Sequence, residues 1–302
     1  MERPIVYATV CSGIEAMSEA VAPLKWRPLW FSETARAPCS VLSHHYPHVP
    51  NIGDMLAIEG KKYEGEIDIL AGGTPCQSFS NAGKRGGLAD PRGRLSPAFA
   101  KLAHDTRAPW LLWENVPGAL WADKGQAFAE ILRVFTGREL PVPERGWKSA
   151  GIVRGASGKY SVAWRILDSQ YTRVAGYRGP RRRGCGRWGE GLNKQRRRVW
   201  LVGHRGDWRA PAEILVGAEG QPPVSCPLRL QEHTVVSKFT PVEYERLMGF
   251  PDNYTRVSYP GGKPVGDYQR MFMLGNSWPV NCARFVCERI DKCIRGELTW
   301  EE

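Results

Sequence analysis

Two short segments carry residue types that could do covalent chemistry. Gly72-Gly73-Thr74-Pro75-Cys76-Gln77-Ser78-Phe79-Ser80 displays a cysteine on a tight turn directly after an apolar run. A thiol so placed can be activated by nearby backbone N–H groups and cations, because the thiolate is the reactive species. A structural cysteine in a turn has the same position, and position alone leaves both readings open. Trp113-Glu114-Asn115-Val116-Pro117 puts a carboxyl at the end of a second apolar run, among residues that can raise its proton affinity by desolvation. By itself such a glutamate is an ordinary cap or ion-pair partner. Beside an exposed Cys76, it suits an acid that must be protonated while a thiolate attacks.

Strands must deliver both groups, and the hydrophobic pattern predicts them. Short apolar, β-branched runs at Ile5–Val10, Trp26–Phe31, Ile67–Ala71, Trp110–Trp113, Tyr160–Leu167 and Val199–Val202 read as strands. Helical patterns lie after Ser12-Gly13-Ile14-Glu15-Ala16 through Ala20, at Ser96–His104 and at Gln126–Phe135. Strands alternating with helices predict an α/β doubly wound, Rossmann-like sheet, with ligands beyond the carboxyl ends of its strands. Gly137–Gly158 reads as loop, and a Pro-rich stretch from 204 to about 236 reads as a second domain or insertion. Pro241–Ile294 regains regular patterning, and its last helix, around Asn281–Arg295, is expected to return to the sheet.

Composition bounds the partners. The 302 residues carry 42 Lys+Arg against 31 Asp+Glu, a net +11 that favours a polyanion but fits a merely soluble basic protein equally well. Nine Lys/Arg against the single Glu190 fall within Arg178–Arg198. No run approaches the roughly 18 apolar residues of a membrane span, and no secretory leader pattern opens the chain, so no membrane and a cytoplasmic location are expected. The eight cysteines show no C-x-x-C pair and read mainly as free, packed thiols. His44, His45 and His48 lack accompanying ligands, and no metal is expected.

The Cys76 and Glu114 segments resemble the nucleophile and acid motifs of the C5-cytosine DNA methyltransferases. Further blocks of that family follow in order: Cys11–Ala16, Gln195–Gly203, Arg246-Leu247-Met248-Gly249-Phe250-Pro251 and Leu274-Gly275-Asn276-Ser277. The Cys-Ser-Gly-Ile-Glu-Ala form of the first block is similar to that of enzymes carried by bacteriophages and prophages. The resemblance implies a Rossmann-like S-adenosylmethionine domain (1–203, with a basic insert at 174–193, completed by 265–302) and a small target-recognition domain at 204–264. It implies methyl transfer to a flipped cytosine in duplex DNA through a covalent Cys76 adduct, leaving S-adenosylhomocysteine.

The roles it implies are catalytic for Cys76, Glu114, Arg198 and Arg196. Cofactor binding falls to Ser12, Gly13, Ile14, Glu15, Glu33, Asp54, Met55, Pro75, Leu95, Asn276 and Ser277. DNA contact falls to Gln77, Ser80, Lys84, Arg92, Arg181, Arg182 and Arg183. Ser80–Leu95, with Asp90, would form a lid over the DNA. A monomer is expected, with a cognate restriction nuclease as a possible companion. The chain departs from the family pattern at Cys11, where an aromatic is usual, at Glu15-Ala16 in place of Gly-Gly, at Thr34, and at Lys194. Three rival readings are a transfer-RNA cytosine methylase, a catalytically silent DNA-binding relative, and a folate-dependent nucleotide methylase. The last would leave the basic insert without a role.

Overall fold

The first strand, β1 (Val6–Val10), is buried along its whole length and lies second from one edge of a seven-stranded sheet of order β2-β1-β3-β4-β7-β6-β5. The computed structural model describes residues 3–74, 95–169, 196–216 and 239–298. The other strands are β2 (Arg27–Ser32), β3 (Ile69–Gly72), β4 (Trp110–Asn115), β5 (Ala150–Val153), β6 (Ser161–Asp168) and β7 (Arg197–His204). β2, β1, β3 and β4 run parallel, while β7 is antiparallel to both β4 and β6, and β5 to β6. The helices are α1 (Ala16–Val21), α2 (Arg36–His45), α3 (Leu95–Thr106), α4 (Gln126–Thr136), α5 (Ala210–Val216), α6 (Pro241–Met248), α7 (Asp267–Asn276) and α8 (Val280–Ile294). Among the described residues no helix is long and apolar enough to cross a membrane.

Side-chain alternation along the strands splits the interior into two cores. Tyr7, Phe31, Ala71, Leu112, Trp200 and Val202 face one layer, with Met17 of α1, Val41 of α2, Ile214 of α5 and Val286 of α8. Ala8, Val10, Leu70, Leu111, Trp113 and Leu201 face the other, with Phe99 of α3 and Phe128 and Leu132 of α4. The doubly wound sheet read from the sequence is therefore present, and α8 returns to it by packing on α1 and α5. Parts of the 204–264 stretch share the first core: Ala210, Leu215, Met248, Phe250, Tyr254 and Val257 are all buried there. The remaining 217–238 lies outside the described residues.

One expectation needs correction. The 137–158 stretch holds an edge strand, β5, where the sequence pattern suggests only loop. Its signal is weak because it is four residues long, half-exposed, and interrupted by Gly151. That glycine is required, since a Cβ there would sit 2.3 Å from the Trp164 ring.

Candidate functional site

A cleft opens at the carboxyl ends of β1, β3 and β4. Its lining includes Thr9–Gly13, Glu15, Gly72, Gly73 and Glu114, with Asn276, Ser277 and Trp278 closing the far side. It lies at the switch point of the sheet, where β1 is flanked by β2 on one side and β3 on the other.

β4 builds the floor by alternation. Trp113 and Asn115 turn one way and hold Thr74: the Trp113 indole N–H donates to Thr74 Oγ1 at 2.9 Å, and Asn115 Nδ2 donates to the Thr74 carbonyl at 2.9 Å. Ser96 Oγ on α3 shares a third hydrogen bond with Thr74 Oγ1 at 2.8 Å. Thr74 is thus fixed from three sides, two residues before Cys76. Cys76 itself lies outside the described residues, as do Pro75, Gln77, Ser80, Lys84, Asp90, Arg92, Arg181, Arg182 and Arg183.

Glu114 turns the other way, into the cleft. It is 7% exposed, and burial pushes its carboxyl up from the ordinary 4.5 to about 7, against the opposing pull of Arg198 and Arg196. Arg198 Nε stands 3.0 Å from Glu114 Oε1. The antiparallel register places Trp200 opposite Glu114, so Arg198, two residues away, shares that face of the sheet. Arg196 continues the same face, but its guanidinium bonds to backbone carbonyls and forms no ion pair with the acid. Nη2 donates to the carbonyls of Gly275 at 2.7 Å and Ser277 at 2.6 Å, fixing the connection between α7 and α8. Burial lowers the Arg196 pKa to about 10. Its role here is to hold the cleft wall.

The first-block residues divide into those that form the cleft and those that brace it. Ser12 Oγ bonds to the carbonyls of Thr9 and Ser32 and accepts from Ser32 N–H, locking β1 to β2. Gly13 has φ 57, a conformation glycine adopts freely, and its N–H donates to Glu33 Oε2 at 2.8 Å. Glu33 Oε1 also accepts from the N–H groups of Thr34 and Ala35, so backbone already occupies most of this carboxylate.

Ile14 is buried in the first core and is absent from the cleft lining. Glu15 adopts φ 60, which costs a non-glycine residue roughly 1–2 kcal/mol. Its carboxyl is buried and accepts from the hydroxyls of Thr9 and Ser18, and burial raises it from 4.5 to about 7. Asp54 is exposed and caps a short turn by accepting from Leu56 N–H, while Met55 is buried in the second core. Leu95 opens α3 and packs against that same core. Asn276 and Ser277 line the cleft directly. His45 Nε2 bonds to the Tyr254 carbonyl at 2.7 Å, its ring stacked on Tyr254, and no metal-type cluster occurs among the described residues.

Sequence reasoning passed over Gly73 and Trp278. A Cβ on Gly73 would lie 2.7 Å from the Trp278 indole nitrogen and 3.3 Å from Glu114 Oε2, so only glycine lets them meet there. The available signal was a bulky aromatic directly after Asn276-Ser277.

This doubly wound sheet, with an acid-lined cleft at its switch point, defines a Rossmann-like protein built to hold a small ligand beside a carboxyl acid. The family model for C-5 cytosine-specific DNA methylases matches residues 7–138 and 193–292, and the chain belongs to that family. A protein of Escherichia phage P1 named DNA N-6-adenine-methyltransferase is 38% identical over 253 residues, covering 72% of this chain and 31% of that protein. The Type II methyltransferase M1.ScrFI of Lactococcus lactis subsp. cremoris is 27% identical over 276 residues, covering 79% of this chain and 65% of that one. The chain therefore spans less than two thirds of either relative. A prophage-encoded Escherichia coli protein described as a DNA modification methyltransferase shares the fold, with a TM-score of 0.62 at 14% identity, covering 96% of this chain and 99% of that one.

Proposed function

We propose that this chain transfers a methyl group from S-adenosylmethionine to C5 of a cytosine flipped out of a specific duplex DNA sequence. Family membership supports DNA cytosine methylation, and one observation carries the chemistry: a buried Glu114 carboxyl, poised near neutrality, faces the cleft with Arg198 against one oxygen.

The residues present fit the cofactor. The described residues lining the cleft include Glu15 and Glu114 and no Lys or Arg, which suits a cation. Ser12, Gly13, Asn276 and Ser277 would hold it, with Glu33 and Asp54 on the ribose and adenine side. When bound, it supplies an electrophilic methyl group on a sulfonium.

The chain's own residues do the rest. Duplex cytosine is stacked and paired, so it must leave the helix to be reached. Cys76, delivered by the turn that Thr74 anchors, adds as thiolate to C6 while Glu114 gives its proton to N3, making C5 nucleophilic. Arg198 steers and holds the Glu114 carboxyl. After methylation the C5 proton leaves to water, the thiolate is expelled, and N3 returns its proton to Glu114. Arg181, Arg182 and Arg183, with Lys84 and Arg92, grip phosphate, while Gln77 and Ser80 sit by the flipped base.

The name of the phage P1 relative favours a second reading, methylation of the adenine amino group. That chemistry needs no thiol nucleophile, because the amine attacks directly. Nucleoside mass spectrometry of duplex DNA and total tRNA incubated with the protein and S-adenosylmethionine separates the readings. 5-Methylcytosine in DNA is expected. N6-methyladenine alone, or label only in tRNA, would overturn the proposal.

A further inference from the structure

We propose that Trp278 is a positioning residue for the Glu114 carboxyl, its indole N–H donating to Glu114 and tying the α7–α8 connection to the acid on β4. The proposal rests on the reading of Glu114 as the proton donor. A carboxyl held at one oxygen can still swing about its terminal torsion. Arg198 holds Oε1 at 3.0 Å. Trp278 reaches Glu114 from the α7–α8 connection: its Nε1 and Glu114 Oε2 converge on Gly73, 2.7 and 3.3 Å from where a Cβ there would sit. Two donors from two separate elements fix the plane of the carboxyl.

Trp278 is itself held. Its ring meets the buried Trp200 edge-on, with centroids 5.2 Å apart and planes at 71°. The carbonyls of Gly275 and Ser277, just before it, are gripped by Arg196. Asn276 and Ser277 lie in the same short connection and line the cleft, so the wall that would contact the cofactor also carries the donor to the acid. Among the described residues, the charged or titratable groups near Glu114 are Arg198 of β7 and Arg196 just before that strand, with Cys11 and Glu15 sharing the cleft from the β1 side. The residue directly after β3 is the uncharged Gly73.

The test is Trp278→Phe in the full chain. Phenylalanine keeps a ring against Trp200 but has no donor. Removing a hydrogen bond that favours the ionised form raises a carboxyl's pKa, here by about one pH unit. The readout is the 13C NMR titration of side-chain carboxyls in ligand-free protein, with the Glu114 signal assigned by its loss in Glu114→Gln. The alkaline limb of the methyl-transfer pH profile should move upward with it. Gly73→Ala is the second variant, because its Cβ would push the indole nitrogen away, and it should shift the titration in the same direction. An unmoved Glu114 titration in whichever of the two variants folds overturns the proposal. A shifted titration in a protein whose wild type puts no 5-methylcytosine into DNA would uphold the contact and sink the proposed function instead.

Discussion

Glu15→Gln should change the pH dependence of stability, and the structure sets the size of the change. Glu15 is fully buried, and its carboxyl is pushed from 4.5 to about 7 by desolvation, with the Ser18 and Thr9 hydroxyls pulling it back only in part. A carboxyl whose pKa is higher in the folded than in the unfolded chain makes the folded state bind more protons. Its stabilising contribution is full below the unfolded value and is lost as pH rises through the folded one. A shift from 4.5 to about 7 at 1.36 kcal/mol per unit gives a loss of about 3 kcal/mol between pH 4.5 and pH 8.

Glutamine keeps the shape but cannot titrate, so the variant should escape this loss. Its amide has one oxygen for two hydroxyl donors, a cost of about 1 kcal/mol that does not vary with pH. Relative to wild type, Glu15→Gln should therefore be slightly less stable near pH 4.5 and about 2 kcal/mol more stable at pH 8. Glu114 has the same direction of shift in both proteins and cancels in the difference. Guanidinium unfolding at several pH values, with unchanged denaturant slope, measures this. A difference between the two proteins that stays constant from pH 4.5 to 8 would refute the reasoning.

Two further outcomes are expected. Arg196→Ala removes both bonds to the Gly275 and Ser277 carbonyls and should weaken S-adenosylhomocysteine binding roughly tenfold or more, since bonds from charged donors are worth about 1.5–3 kcal/mol. Calorimetric titration checks it, and unchanged affinity would remove Arg196 from the cleft wall. Neutralising Arg181, Arg182 and Arg183 should flatten the log–log salt dependence of DNA binding by about 0.9 for each phosphate no longer neutralised. An unchanged slope would make that insert solvated surface.

Much of the sheet was legible because its strands are continuous apolar runs that stop at polar residues. Trp110–Trp113 ending at Glu114-Asn115 is the clearest case, and strand ends are where this class of fold places its ligands. β5 was hidden because an edge strand of four half-exposed residues with a glycine has neither alternation nor a solid apolar run. The roles of Arg196, Glu15 and Trp278 were beyond reach for a different reason. Each is defined by a partner far away in sequence or by burial, and neither leaves a periodic mark. Arg196 reads as one more cation in a basic run until Gly275 and Ser277 are seen beside it. Glu15 reads as a loop carboxylate until Thr9 and Ser18 close over it.

The central claim is that the cysteine two residues beyond the pinned Thr74 is the nucleophile. Duplex DNA carrying 5-fluorocytosine at target sites cannot lose the C5 substituent as a proton, so a methylated adduct should persist. Incubating it with the protein and S-adenosylmethionine, then mapping the cross-linked peptide by mass spectrometry, tests this directly. The account predicts one DNA adduct, on the peptide containing Cys76, and none with Cys76→Ala. An adduct on another residue, or an undiminished adduct with Cys76→Ala, would contradict it.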